Sequence, residues 1–96
     1  MKLRYTPRAI ADITAIADYI RERSPSASVR VGESIEATIV HLIDNPGLGI
    51  NRPDLGVRRL GVASNPYSVY YRIIDDVIEI AHVRDDRRIP LAPGDV

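Results

Sequence analysis

The side chains of this sequence that can grip an anion are almost all guanidinium groups. Of its 13 basic residues, Lys2 is the only lysine and the rest are arginines. A guanidinium is planar and permanently charged; it matches carboxylate or phosphate oxygens in pairs and stacks on bases or aromatic rings. A GC-rich coding sequence explains such a bias in bulk, so position must separate arginines that act from arginines that are merely solvated. The positions that stand out are Arg59 and Arg72, each within a β-prone run, and the cluster Arg84-Asp85-Asp86-Arg87-Arg88 near the end. Groups able to move a proton near neutrality are scarce. His41 and His82 are the only histidines, and arginine stays protonated, so it serves poorly as a general base. With no cysteine there is no thiol nucleophile, no disulfide and no cysteine-held metal. No catalytic residue, cofactor site or metal site is assigned from these residues.

Ninety-six residues are expected to form one domain, residues 1–96. With 45% hydrophobic and 27% charged residues the chain reads as folded rather than disordered. A chain of this size buries only about 60–65% of its unfolded surface, so a bound partner would add substantially to its stability. Thirteen basic and 13 acidic residues cancel, which argues against a general nucleic-acid binder. The N-terminus lacks the apolar stretch of a signal peptide, and no apolar run approaches the roughly 20 residues that span a bilayer. A cytoplasmic protein with no membrane contact is expected.

Lys2 to Tyr5 alternates as a short strand would. Thr6-Pro7 and Ser24-Pro25 each read as a helix cap followed by proline in the first turn. Ile10, Ile13, Ile16, Ala17 and Ile20 make one apolar stripe, and Val31, Ile35, Ile39, Leu42 and Ile43 make a second, closed by Asn45-Pro46-Gly47. Two helices joined at Ser24 should fold back as a hairpin. Gly32, inside the second, marks either a close helix–helix approach or a tolerated exposed glycine. Pro46 to Gly56 reads as a surface loop, followed by strands Val57–Val62, Tyr67–Ile74 and Val77–Arg84. The order β-α-α-β-β-β predicts an α+β fold, an antiparallel sheet with the helix hairpin packed on one face.

A two-residue turn at Asp75-Asp76 pairs Ile73 with Ile78, Tyr71 with Ile80 and Val69 with His82, on the face toward the helices. The opposite face then pairs Arg72 with Glu79 and Tyr70 with Ala81. His82 is expected to be a packed structural residue, and His41 is expected to be exposed. On the preceding strand Leu60 and Val62 point to the core, Arg59 points away, and Arg58 emerges at the strand end. The open face is expected to gather Arg59, Tyr70 and Arg72, with Arg84, Arg87 and Arg88 nearby. These six residues are the candidate target contacts, and Tyr70 is placed to stack on a partner. The bland alternatives are a plain cross-strand pair for Arg72 and a self-neutralised, solvated tail for residues 84–88.

The element order, the Arg-Arg-Leu strand, Pro66-Tyr-Ser-Val-Tyr-Tyr-Arg72 with its acidic turn and Ile-Glu-Ile strand, and the late Arg-Arg-x-Pro together resemble the RelE/ParE superfamily. Its members are the toxic halves of bacterial type II toxin–antitoxin pairs. The resemblance covers essentially the whole chain and implies two divergent activities. RelE-like members cleave messenger RNA in the ribosomal A site, which requires a base, a cation for the developing phosphorane charge and an acid for the leaving oxygen. Their pattern places an arginine directly after the aromatic that opens the next strand, and a tyrosine or histidine near the C-terminus. Here Arg59 matches their basic strand, but Ser68 stands in the arginine's place and no tyrosine follows Tyr71. ParE-like members bind DNA gyrase without chemistry of their own, and this sequence resembles them more.

The resemblance also implies a cognate antitoxin that lays an extended or helical segment on the toxin, in a heterodimer or heterotetramer. An apolar groove beside the helix hairpin is the expected seat. Three functions follow: a gyrase-directed toxin, a ribosome-dependent ribonuclease, or an inactive module that retains only antitoxin binding.

Overall fold

Two capped Ser/Thr-Pro pairs set the helical layer of this protein, described over residues 1–95 in a computed structural model. After strand β1 (Lys2–Tyr5), Thr6 caps α1 (Pro7–Arg21), its Oγ1 accepting the Ala9 N–H at 3.0 Å. Ser24 caps α2 (Pro25–Asp44) by accepting the Ala27 N–H at 3.2 Å. With only Glu22, Arg23 and Ser24 between them, the helices pack on each other. The Ser28 hydroxyl donates to the Ala17 carbonyl at 2.9 Å across the pair. Gly32 has nothing within 4 Å of where a Cβ would stand, so it is a tolerated exposed glycine and not a site of close approach.

Strands β2 (Ile50–Arg52), β3 (Val57–Gly61), β4 (Tyr67–Ile74) and β5 (Val77–Asp85) complete a sheet of order β1-β5-β4-β3-β2. One face receives Ile13, Ile16 and Ile20 of α1 and Ile35, Ile39 and Leu42 of α2, against Val69, Tyr71, Ile78, Ile80 and Val83. Ile10, expected on that stripe, is 54% exposed, and Ala9 is buried instead. The cause lies in Thr6: its N–H donates to Ile80 O and its hydroxyl to Ala81 O, which sets the rotation of the first turn of α1 against β5.

The sheet is mixed where an antiparallel one was expected. β1 runs parallel to β5, pairing Leu3 with Ile78 and Tyr5 with Ile80, while every other pairing is antiparallel. A second difference lies in the segment read as a loop. Ile50–Arg52 pairs with β3, Ile50 opposite Arg59 and Arg52 opposite Val57. The turn residues there do form a turn, Pro53–Gly56, with Gly56 at φ 70° in the left-handed region that glycine favours. A strand of three residues carries too little alternation to be seen in sequence.

Tyr71 holds this extra edge in place. It is fully buried, its hydroxyl accepts the Gly49 N–H at 2.8 Å, and it donates to the Pro46 carbonyl at 2.8 Å. A Cβ on Gly49 would stand 2.8 Å from that oxygen and 3.0 Å from the Arg59 carbonyl. Arg58 completes the clasp, donating to the Gly49 carbonyl at 2.9 Å.

The hairpin register agrees with expectation from Ile74–Val77 to Tyr71–Ile80 and then shifts. Tyr70 meets His82 and Val69 meets Val83, so Ala81 is the extra residue of a β-bulge. Val83, not His82, therefore takes the place in the helix-facing core. The bulge falls where β1 ends. Beyond Tyr5 the outer edge of β5 has no strand partner among the described residues, and side chains of α1 and its cap satisfy it. The Ala81 carbonyl accepts from Thr6, and the Val83 N–H donates to Asp12 Oδ2 at 3.1 Å.

Removing the Tyr71 hydroxyl leaves a donor and an acceptor unpaired at a buried site, a loss of about 1–3 kcal/mol. Tyr71→Phe is therefore expected to lower the unfolding free energy by that amount in urea titration, and Gly49→Ala to lower it as well. Gly32→Ala, with open space around it and a better helix former, should raise it by roughly 0.5–1 kcal/mol.

Candidate functional site

The face of the sheet away from the helices is not open. The C-terminal tail folds back across it, and Leu91 packs with Leu55, Val57, Tyr70 and Ala81 into a second small core. Tyr70 is only 8% exposed, so it is a packing residue and not a stacking platform for a partner. The tail's return is the reason, and nothing in the spacing of Ile89 to Val96 announces it.

The tail also carries the central feature of this face. Ser68 is fully buried, and its hydroxyl donates to both oxygens of Asp86, at 2.8 and 3.0 Å. Arg59, from β3, reaches the same carboxylate with Nη2 at 3.0 Å from Oδ1. The Asp86 N–H donates to the Pro66 carbonyl at 2.7 Å, which fixes the carboxylate at the end of the hairpin. The hydrogen bond that Arg59 donates to Asp86 raises the Arg59 pKa further above the already high arginine range, so Arg59 is permanently a cation. A hollow of about 170 Å³ lies here, lined by Arg59, Tyr70, Arg84, Asp86, Arg88 and Ile89 among others.

The six expected contact residues do not form one patch. Arg59, Tyr70, Arg84 and Arg88 surround that hollow. Arg84 also donates to the Ile89 carbonyl at 2.6 Å, tying strand to tail. Arg72 stands apart. Its Nε lies 3.2 Å from Glu79 Oε1 as expected, and Arg4 of β1 grips Glu79 from the other side at 2.7 Å. That is an ionic row across three strands, a structural role. Arg87 points the opposite way, into a cleft of about 260 Å³ between α1 and the end of β5.

This helix-side cleft was not foreseen. Arg8, Arg84, Arg87 and Arg88 rim it, over Ile16, Tyr19, Tyr67 and Val83. Arg87 pairs with Asp85 at 2.7 Å, and that hydrogen bond holds the Asp85 carboxyl down to about 2. Burial, then the charge of Asp85, pushes the Tyr67 phenol above its ordinary 10 and keeps it neutral. Asp12 joins the cleft through Arg8, 3.0 Å away. Since Asp12 and Val83 lie on distant stretches of the chain, their contact left no signal in local spacing.

His82 is buried at 3% exposure, as a packed residue should be, but through other partners than those expected. Its Nε2 lies 3.0 Å from the Asp95 carbonyl of the tail, and its Nδ1 lies 3.6 Å from Asp12 Oδ2. Burial lowers its pKa below the usual histidine value; Asp12 works in the opposite direction, while Arg8 and Arg84 assist the burial. A neutral, enclosed imidazole is poorly placed for proton transfer to a bound substrate. His41 is exposed on α2. Among the described residues no group of three or more His, Cys, Asp or Glu side chains is arranged to hold a metal, and no helix is long and apolar enough to cross a membrane.

The family model described as the ParE toxin of type II toxin–antitoxin systems matches residues 3–90, and the chain belongs to that family. It is 33% identical over 85 residues to "Toxin RelE2" of Caulobacter vibrioides, covering 88% of this chain and 94% of that protein. It is also 33% identical over 76 residues to "Putative toxin Y4kP" of Sinorhizobium fredii, covering 79% of each. Among solved structures, a chain of the chromosomal ParDE system from P. aeruginosa superposes with a TM-score of 0.77 at 28% identity. That match covers 88% of this chain and 95% of the other. The E. coli RelBE toxin–antitoxin complex shares the fold, with a TM-score of 0.63 at 18% identity over 91% of this chain and 98% of that one.

Because the folded-state pKa of His82 is below its unfolded value, folding favours the neutral ring. Its contribution is complete above the unfolded pKa, near 6.5, and declines as pH falls from there toward the folded value. Melting temperature is expected to fall between pH 7.5 and 5.5, and His82→Gln, which keeps a donor for Asp95, should flatten that dependence. An unchanged slope in the variant would place the titration elsewhere.

Proposed function

We propose that this toxin acts by binding DNA gyrase and stopping it, with no bond-breaking chemistry of its own, and that a cognate antitoxin neutralises it in the cytoplasm. The observation that carries this reading is the Ser68–Asp86–Arg59 network. In a ribonuclease this end of the sheet has to present free cations to a phosphodiester, with an acid and a base beside them. Here a carboxylate occupies the cation, a serine stands where the ribonuclease pattern has arginine, and the histidine of this sheet is enclosed and neutral. Binding to a protein target needs none of those groups. It needs exposed arginines and apolar area, which Arg87, Arg88 and Ile89 supply at the tail.

The antitoxin reading rests on family membership and on the solved relatives, which include toxin–antitoxin complexes. Several large apolar side chains of the helical layer lie exposed, including Ile10, Tyr19, Val29 and Val40. Burying such residues under an amphipathic segment would stabilise the toxin by mass action. The likeness to a protein named "Toxin RelE2" favours messenger-RNA cleavage as the second reading.

Pulse labelling within minutes of induction in bacteria separates the readings. DNA synthesis is expected to fall first with translation intact, whereas immediate collapse of translation would establish the ribonuclease, and no change in either would mean an inactive antitoxin-binding module. Replacing Arg87 and Arg88 by alanine should weaken growth arrest about tenfold, equivalent to about 1.4 kcal/mol of target binding. The purified toxin is expected to melt markedly higher with its antitoxin than alone.

A further inference from the structure

The Asp86 carboxylate sits where an external anion would bind. Ser68 is fully buried, and among the described residues its hydroxyl's partner is that carboxylate alone. Arg59 meets the same group, and Arg84 and Arg88 line the hollow around it. Asp85, the other acid there, is already held by Arg87 through its backbone N–H and two guanidinium hydrogen bonds. We propose that this hollow is an oxyanion seat for a phosphodiester, held shut by Asp86 acting as an internal counter-ion. Asp86 is thus a specificity-determining residue that keeps nucleic acid off this face.

The geometry supports the substitution of one anion for the other. Asp86 Oδ1 takes both the Ser68 hydroxyl and the Arg59 guanidinium, with Oδ2 also within reach of the hydroxyl, and the non-bridging oxygens of a phosphodiester can take the same two donors. While Asp86 is ionised, a second anion would meet its charge at contact distance. Once that charge is gone, the hollow keeps three guanidinium groups and a buried hydroxyl that can turn to a phosphate oxygen. About a third of the surface of each of the Arg59 and Asp86 side chains is exposed, so the seat opens to solvent and a strand can reach it.

The test uses the full chain and a fluorescein-labelled single-stranded hexaribonucleotide, followed by anisotropy at low ionic strength. Asp86→Asn keeps the side chain's size and removes its charge. It is expected to bind the probe at least about tenfold tighter than the parent, with a steeper salt dependence, because added contacts to phosphate release counterions. Inorganic phosphate should compete. Adding Arg59→Gln to Asp86→Asn should abolish the gain. Asp86→Ser, whose hydroxyl can still pair with Ser68, gives the same reading if Asp86→Asn does not fold by circular dichroism. A folded variant that binds no better than the parent would overturn the proposal, as would a gain that survives loss of Arg59.

Discussion

The structure depends on one irregularity, the bulge at Ala81 in β5. Before it, Ile78 and Ile80 face the helices; after it, Val83 does. Without the extra residue His82 would enter that row and bring an imidazole into an apolar layer, at the desolvation penalty a buried polar ring carries. The bulge instead leaves Ala81 beneath Leu91 and gives His82 to the tail. It coincides with the end of β1, where Thr6 and Asp12 replace a missing strand as hydrogen-bond partners. A strand edge is thereby satisfied by a helix, which also protects it from pairing with another chain.

The far face follows from the same shift. Arg84 pairs with Ser68 and Asp85 with Tyr67, which sets Asp86 just past the last paired residue and turns its carboxylate onto Ser68. The tail then crosses the sheet and buries Tyr70. The protein consequently presents two arginine-bearing hollows separated by the end of β5, one against α1 and one against β3. Both hollows also carry carboxylates that offset their arginines: Asp86 pairs with Arg59, Asp85 with Arg87 and Asp12 with Arg8.

Much of the candidate site was legible as a list of residues and little of it as a place. Arg59, Arg84 and Arg88 do converge. Arg72 was correctly paired with Glu79, but Arg4 arrives from a strand remote in sequence and makes the group structural. Arg87 belongs to the helix-side cleft, because Asp85 follows the bulge onto that face and takes Arg87 with it. Tyr70 had the right parity and the wrong exposure, since parity says nothing about what the tail covers.

What the sequence alone determined was local: the two helix starts, the apolar stripe of α2, the strands from Val57 onward and the turn at Asp75-Asp76. Each follows from capping chemistry, periodicity and β-propensity within a few residues. It also carried enough pattern to place the chain in its toxin superfamily. Tertiary structure alone decided the parallel pairing of β1, the edge strand Ile50–Arg52, the bulge, and the capture of Asp86 by Ser68 and Arg59. These depend on contacts between residues far apart in the chain, where a single inserted residue reverses every face that follows.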